Sequence, residues 1–299
     1  MRYRGAIDEK VETMEVLRQN TEQPSPSVFP TPMDELCSMI QTVLVLDSKR
    51  LDCLGKMRKE EDLSIQELIE KFERGFSVDR DKETSTSVAP NNNKVLSQWS
   101  FFGVWTSIEF LKNLEFMHLL SASDKLIIVT NFAMNSYLLS SAFQSVTRQS
   151  DRLVNPDGTE TISQSLKTMF TNCNIDRVRT QLVAKLCELQ ITSEEYILIT
   201  IILFCTPSYG QSRQLNAESL SAYACEIVGE QQRKYYNALM EYCMTTRGGQ
   251  GPARFQKIIS IGELLAKCFG DVRDLVDLLR VFEPNFYNSK QFFIDSLNK

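Results

Sequence analysis

Few residues in this chain have the type and spacing that covalent chemistry needs. The one histidine, His118, has no Ser, Cys or Asp constellation beside it, so no nucleophile with its base can be assembled around it. The eight cysteines (Cys37, Cys53, Cys173, Cys187, Cys205, Cys225, Cys243 and Cys268) include no Cys-x-x-Cys pair, which argues against zinc. Scattered singly along helical apolar faces, they read as reduced core thiols of an intracellular protein. No Gly-x-Gly-x-x-Gly, P-loop or paired-carboxylate motif occurs, and neither an enzyme nor a cofactor is expected. What remains is charge placed at helix ends. Lys112 stands where a long, nearly all-apolar helix (Trp99, Phe101, Phe102, Val104, Trp105, Ile108, Leu111, Leu114) should leave the core, and an acidic amphipathic segment closes the chain. A base and an acid so placed suggest a two-ended clamp for a partner helix.

The elements that hold such a clamp must be helical. At 299 residues with 42% hydrophobic content, the chain can bury a sizeable core. Only 12 Gly and 9 Pro occur among abundant Leu, Glu, Lys and Gln, which favours helices over sheets. The net charge of -5 offers no bulk basic field for nucleic acid or an anionic membrane. Leu126 to Phe143 is apolar enough to be mistaken for a membrane span, yet it holds Asn131, Asn135, Ser136, Ser140 and Ser141. Two asparagines near mid-span are costly in lipid, and a helix crossing the centre of a soluble sandwich accounts for it better.

Along the chain, residues 1–32 read as a hinge-like flexible tail, because Pro24, Pro26, Pro30 and Pro32 among serines cannot hold a helix. A single domain is expected over 33–299. Its first helix starts near Met33, and a short second one is capped by Ser64, with Glu67 completing a capping box. Residues 77–95 read as a loop. The second apolar helix is expected to start at Lys125. Asn155-Pro156-Asp157-Gly158 between short β-prone runs predicts one small hairpin. Further helices are expected over Asp176–Leu189, from a cap at Thr192 or Ser193 to Cys205, over Ala217–Thr246 and over Ala253–Phe282. Pro284 then stops the chain before a final short helix. Asn285 to Asn288 reads as a hinge on which that helix could detach.

Several pieces in this order carry a resemblance. Phe110-Leu111-Lys112, Leu120, Asp124-Lys125 and Leu126-Ile127-Ile128 fill the signature positions of the nuclear hormone receptor ligand-binding domain. Leu189-x-x-Thr192-x-Glu194-Glu195-Tyr196, Gly251-Pro252-Ala253-Arg254 and the terminal Phe292-Phe293-Ile294-Asp295-Ser296-Leu297 also resemble it. Lys125, in place of the usual vertebrate glutamine, and the Pro-Asp-Gly turn look like the expanded nematode branch. The resemblance spans about Met33 to Asn298. It implies an all-α, three-layer antiparallel helical sandwich with one small β-hairpin, and a ligand-responsive transcriptional regulator in the nucleus, possible also in the cytoplasm.

It also implies roles for residues. Lys112 and Asp295 would cap the carbonyl and amide ends of a coregulator's Leu-rich helix, with Ile108, Leu126, Thr130, Phe292 and Phe293 lining the groove. Thr130 stands where a basic residue is common, and Ser296 breaks the second apolar pair of the final helix. Trp105, Ile108, Met134 and Gln144 would face a small lipophilic ligand under the hairpin; plain core packing is the competing account. Glu194 or Glu195 would bridge to Arg254. The family's two four-cysteine zinc sites are missing from the chain as given, so no direct DNA binding is expected of it, and no membrane. An alternative is a ligand-independent dimerisation partner of full-length receptors, forming homo- or heterodimers through Ala253 to Phe282, whose apolar stripe includes Ile258, Ile261, Leu265 and Phe269.

Overall fold

The computed structural model describes residues 32–56, 64–73, 98–162, 175–206, 219–282 and 291–297. The expected tail to residue 31, the loop over 77–95 and the hinge over 285–288 lie outside the described residues. Contacts divide the chain into two units, Met1–Met39 and Ile40–Lys299. In the first unit, residues 32–39 are the opening turns of a helix, α1 (Pro32–Lys56), whose Asp34 and Glu35 suit its N-terminal dipole.

The regular elements described in the second unit are helices joined by turns, save for one antiparallel bridge, Val154 to Glu160. Its elements after α1 are α2 (Ile65–Glu73), α3 (Gln98–Lys112), a 3-10 turn (Glu115–Leu119) and α4 (Ala122–Thr147). Then follow a wide turn (Arg177–Gln181) continuing into α5 (Leu182–Leu189), α6 (Ser193–Phe204), α7 (Ala222–Arg247), α8 (Gly251–Ile259), α9 (Ile261–Phe282) and α10 (Gln291–Asp295). α4 and α6 are the middle of the all-α sandwich. α3 packs on α4, α6 touches both α4 and α7, and α5 and α9 also lie against α4. Their sequences require this position. Every residue of α6 from Glu195 to Phe204 is buried, and so is α4 on nearly all faces, as an apolar circumference demands. α4 is long and apolar enough to cross a membrane by composition alone, but most of it is buried inside the protein. α7 instead buries one stripe, Ala224, Val228, Tyr235, Ala238, Leu239, Tyr242 and Cys243, at helical spacing.

Capping fixes where the helices begin. The Ser64 amide donates to Glu67 Oε2 at 2.8 Å, and the Glu67 amide returns a bond to Ser64 Oγ at 3.2 Å. α4 starts at Ala122, three residues before the expected Lys125, because Ser121 Oγ accepts from the Asp124 amide at 3.1 Å. α7 starts at Ala222 rather than Ala217, with Ser221 accepting from Ala224 N. The helix expected over Ala253–Phe282 is two helices parted at Ser260. There the hydroxyl bonds back to the Lys257 carbonyl at 2.7 Å, a competition with the backbone ladder that bends helices. The hairpin shrinks to a single bridge around a turn in which Gly158 takes φ +85°. Cys205, Cys243 and Cys268 are core thiols as expected, whereas Cys53, Cys187 and Cys225 are exposed.

A further correction concerns the alternative dimer surface. Ile258, Ile261, Leu265 and Phe269 are all buried within this chain, so that stripe supplies the core and offers a partner nothing.

Among the contacts that join the layers, two show what burial demands. Arg254 reaches from α8 to the start of α6, where its Nε and Nη2 donate to the two Glu195 oxygens at 2.7 and 2.5 Å. Its Nη1 also donates to the Leu189 carbonyl. Glu195 is 1% exposed and doubles as the capping residue of Thr192; Glu194 accepts instead from the Tyr242 hydroxyl. Between α3 and α4, Gly103 lets the Tyr137 ring lie where a Cβ would come within 2.2 Å. Arg254→Ala strands a buried carboxylate and is expected to cost about 3–5 kcal/mol in urea unfolding. Gly103→Ala is expected to cost about 1–3 kcal/mol in the same assay through overpacking.

Candidate functional site

Where α3 leaves the core, the 3-10 turn and the start of α4 enclose a cleft of about 290 Å³. It is lined by Ile69, Lys112, Asn113, Leu114, Glu115, His118 and Lys125. Lys112 is the last residue of α3. Its ammonium lies 3.2 Å from Glu109 one turn earlier, with only a tenth of the lysine side chain exposed. Burial lowers the Lys112 pKa to about 8, against the opposing pull of the Glu109 charge. Burial likewise raises the Glu109 carboxyl. Such a base is thinly solvated and paired within its own helix at the edge of the cleft. The exposed His118 stays an edge residue, its Nδ1 against the Glu115 carbonyl in the 3-10 turn.

The acidic element is docked close by. Phe293 of α10 is 2% exposed and meets Phe101 of α3 edge-on, ring centroids 4.9 Å apart. Ser296, expected to weaken this docking, is buried with its hydroxyl satisfied by the Phe293 carbonyl at 2.7 Å. Leu297 is buried beside it. The Phe292 side chain lies outside the described residues. Asp295 turns toward α2, where its Oδ2 accepts from the Ile65 amide at 3.3 Å. That amide opens α2, among the first four that a helix leaves unbonded.

α2 touches α3, α4 and α10. It buries Ile65, Leu68 and Ile69 and exposes Gln66, Glu67 and Glu70. Asp295 therefore stands at its N-terminus, and Lys112 and Lys125 share a cleft with Ile69 one turn further on. Of the other residues expected in the groove, Leu126 and Thr130 are half-buried on α4, and Ile108 has no exposed surface. Reading the sequence alone missed Lys125, Glu109 and Ile69. Lys125 was visible as a second lysine beside the signature aspartate, and Ile69 as the third member of an Ile-x-x-Leu-Ile run.

The residues named for a ligand lie deep in the core. Ile108 is 0% exposed, Met134 1% and Gln144 8%, while Trp105 is half-buried. The hairpin is tied to the same two helices. Trp99 Nε1 donates to Asp157 at 2.8 Å, and the Val154 amide donates to Ser145 Oγ at 3.0 Å, next to Gln144. Among the described residues, no cluster of His, Cys, Asp or Glu could hold a metal ion.

Residues 86–282 match the family profile described as the ligand-binding domain of nuclear hormone receptor, well over half of the chain. The chain belongs to the nuclear hormone receptor ligand-binding domain family. It is 28% identical over 210 residues to nuclear hormone receptor family member nhr-51 of Caenorhabditis elegans, covering 69% of this chain and 54% of that one. Against nhr-124 of the same organism it is 30% identical over 203 residues, 67% of this chain and 52% of the other. Against nhr-9 it is 25% identical over 251 residues, 84% and 70% respectively. The chain thus spans about half the length of the first two of these curated relatives. Nuclear hormone receptors regulate transcription, generally without enzymatic activity, and are normally nuclear. The matched span starts after α2 and ends before α10, so the roles of those two helices rest on their geometry.

The Lys112–Glu109 pair generates a prediction of definite sign. An opposite charge favours a lysine's charged form, so Glu109→Gln should drop the Lys112 pKa further. Titration of the Lys112 side-chain signals by NMR reads this directly. An unchanged midpoint would show that the two charges do not interact.

Proposed function

We propose that this domain regulates transcription by recruiting a coregulator's Leu-rich helix to the groove between α3, α4 and α10, in response to a small lipophilic ligand. The observation that carries the reading is the disposition of Asp295 and Lys112 about a single helical site. Asp295 already accepts a helix-opening amide, and Lys112 lines the cleft further along with Lys125. An acid at the amide end and bases at the carbonyl end complement a helix dipole and fix its direction. Leu126 and Thr130 would supply groove wall, with Phe292 and Phe293 on the docked α10. The ligand would lie beneath the hairpin between α3 and α4, against Trp105, Ile108 and Met134, with Gln144 as its polar anchor.

Hydrogen exchange with a synthetic helical peptide bearing leucines at i, i+3 and i+4 tests the groove. At saturating peptide, amides of residues 112–126 and 293–297 are expected to slow. Protection confined to other surfaces would overturn the assignment. For the ligand, native mass spectrometry of the purified domain is expected to show a bound lipophile that Gln144→Ala weakens.

A further inference from the structure

α2 is built like the partner that the groove is proposed to take. Its apolar residues, Ile65, Leu68 and Ile69, fall at i, i+3 and i+4, the spacing that places three side chains on one helical face. All three are buried, and the intervening Gln66 and Glu67 are exposed. Its opening amide is held by Asp295, and its third apolar residue lies in the cleft with Lys112 and Lys125. Its own helical neighbours are α3, α4 and α10, the elements of the proposed groove.

We infer that α2 is an internal occupant of the coregulator groove, a pseudo-coregulator helix carried by the same chain, which an incoming coregulator must displace. The inference rests on the groove reading above. A nine-residue helix is too short to persist alone in water, so α2 owes its helicity to the Ser64–Glu67 capping box and to the groove that receives its apolar face. Being tethered, it competes at an effective concentration on the order of millimolar. The apparent affinity for an outside helix falls by the fraction of molecules in which the groove is open, so a groove open one time in ten binds about tenfold more weakly. Both occupants use the same acid and base. Changes at Asp295 or Lys112 therefore weaken both, and their effects on outside binding partly cancel while α2 is intact.

Fluorescence polarisation on the full chain, with a fluorescein-labelled synthetic peptide bearing leucines at i, i+3 and i+4, tests this. Leu68→Ser with Ile69→Ser is expected to tighten peptide binding about tenfold or more. Ser64→Ala with Glu67→Ala removes the cap on the solvent side, leaves the buried Ile65, Leu68 and Ile69 in place and should tighten binding by a smaller factor. In the opened L68S/I69S protein, Asp295→Ala should weaken the peptide about tenfold, a single lost helix-end cap, and far less in the parent chain. A synthetic peptide of residues 64–73 should bind the opened protein in trans and compete with the leucine peptide. Unchanged affinity in both α2 variants, or no trans binding at millimolar peptide, overturns the inference. If the 64–73 peptide binds in trans but the leucine peptide binds neither protein, the coregulator reading fails while internal docking stands.

Discussion

α4 is buried on nearly all faces between Asp124 and Ser145, so the junction that fixes its amide end sets the register of the layers around it. Its amide end is met by Ser121 and by Asp124, which is itself buried. Burial alone would raise the Asp124 carboxyl, but hydrogen bonds from Ser121 and from the backbone and hydroxyl of Ser221 outweigh it and hold the carboxyl below its usual range. The Ser221 bonds, at 2.8 and 3.0 Å, come from the residue that caps α7. One carboxylate thus holds the serine that caps α4 and the serine that caps α7 against each other. The cleft beside Lys125 inherits its position from this junction, because Lys125 directly follows Asp124.

The same economy appears at the end of α3. A lysine and a glutamate kept largely from water one turn apart are electrostatically expensive unless each answers the other. Glu109 and Lys112 do so at 3.2 Å, and the Glu109 charge opposes the loss of the lysine's proton that burial favours. At the start of α6, Glu195 serves two partners at once, the Thr192 amide that it caps and the Arg254 guanidinium. Among the described residues, the buried charges of Asp47, Arg50, Asp124, Arg179 and Glu195 all meet polar partners.

Most of the fold was legible in the sequence because its signals are local. The all-round apolar runs of α4 and α6 announce a middle layer, and Ser64, Thr192 and the Pro-Asp-Gly turn mark boundaries that need no distant partner. Helix starts were misjudged where the capping serine lay upstream of the apolar pattern, as at Ser121. The break at Ser260 was hidden because a serine bonding to its own helix carries no periodic signature. The stripe of Ile258, Ile261, Leu265 and Phe269 shows another limit. An amphipathic face records that something covers it, and the sequence cannot distinguish the chain's own helices from a partner. At the site, Lys112 and Asp295 stood out by type and position. That Asp295 meets the amide of Ile65, 230 residues earlier, is a long-range fact with no local trace.

The Phe101–Phe293 contact and Lys112 sit on one unbroken helix. Eleven residues separate Phe101 from Lys112, which at 1.5 Å per residue is about 16 Å. α3 is therefore a caliper, with one jaw positioning the acidic helix and the other ending in the base. Because a helix does not stretch, the distance between the docked α10 and the lysine is set by residue count along α3 and is indifferent to the loops that join them.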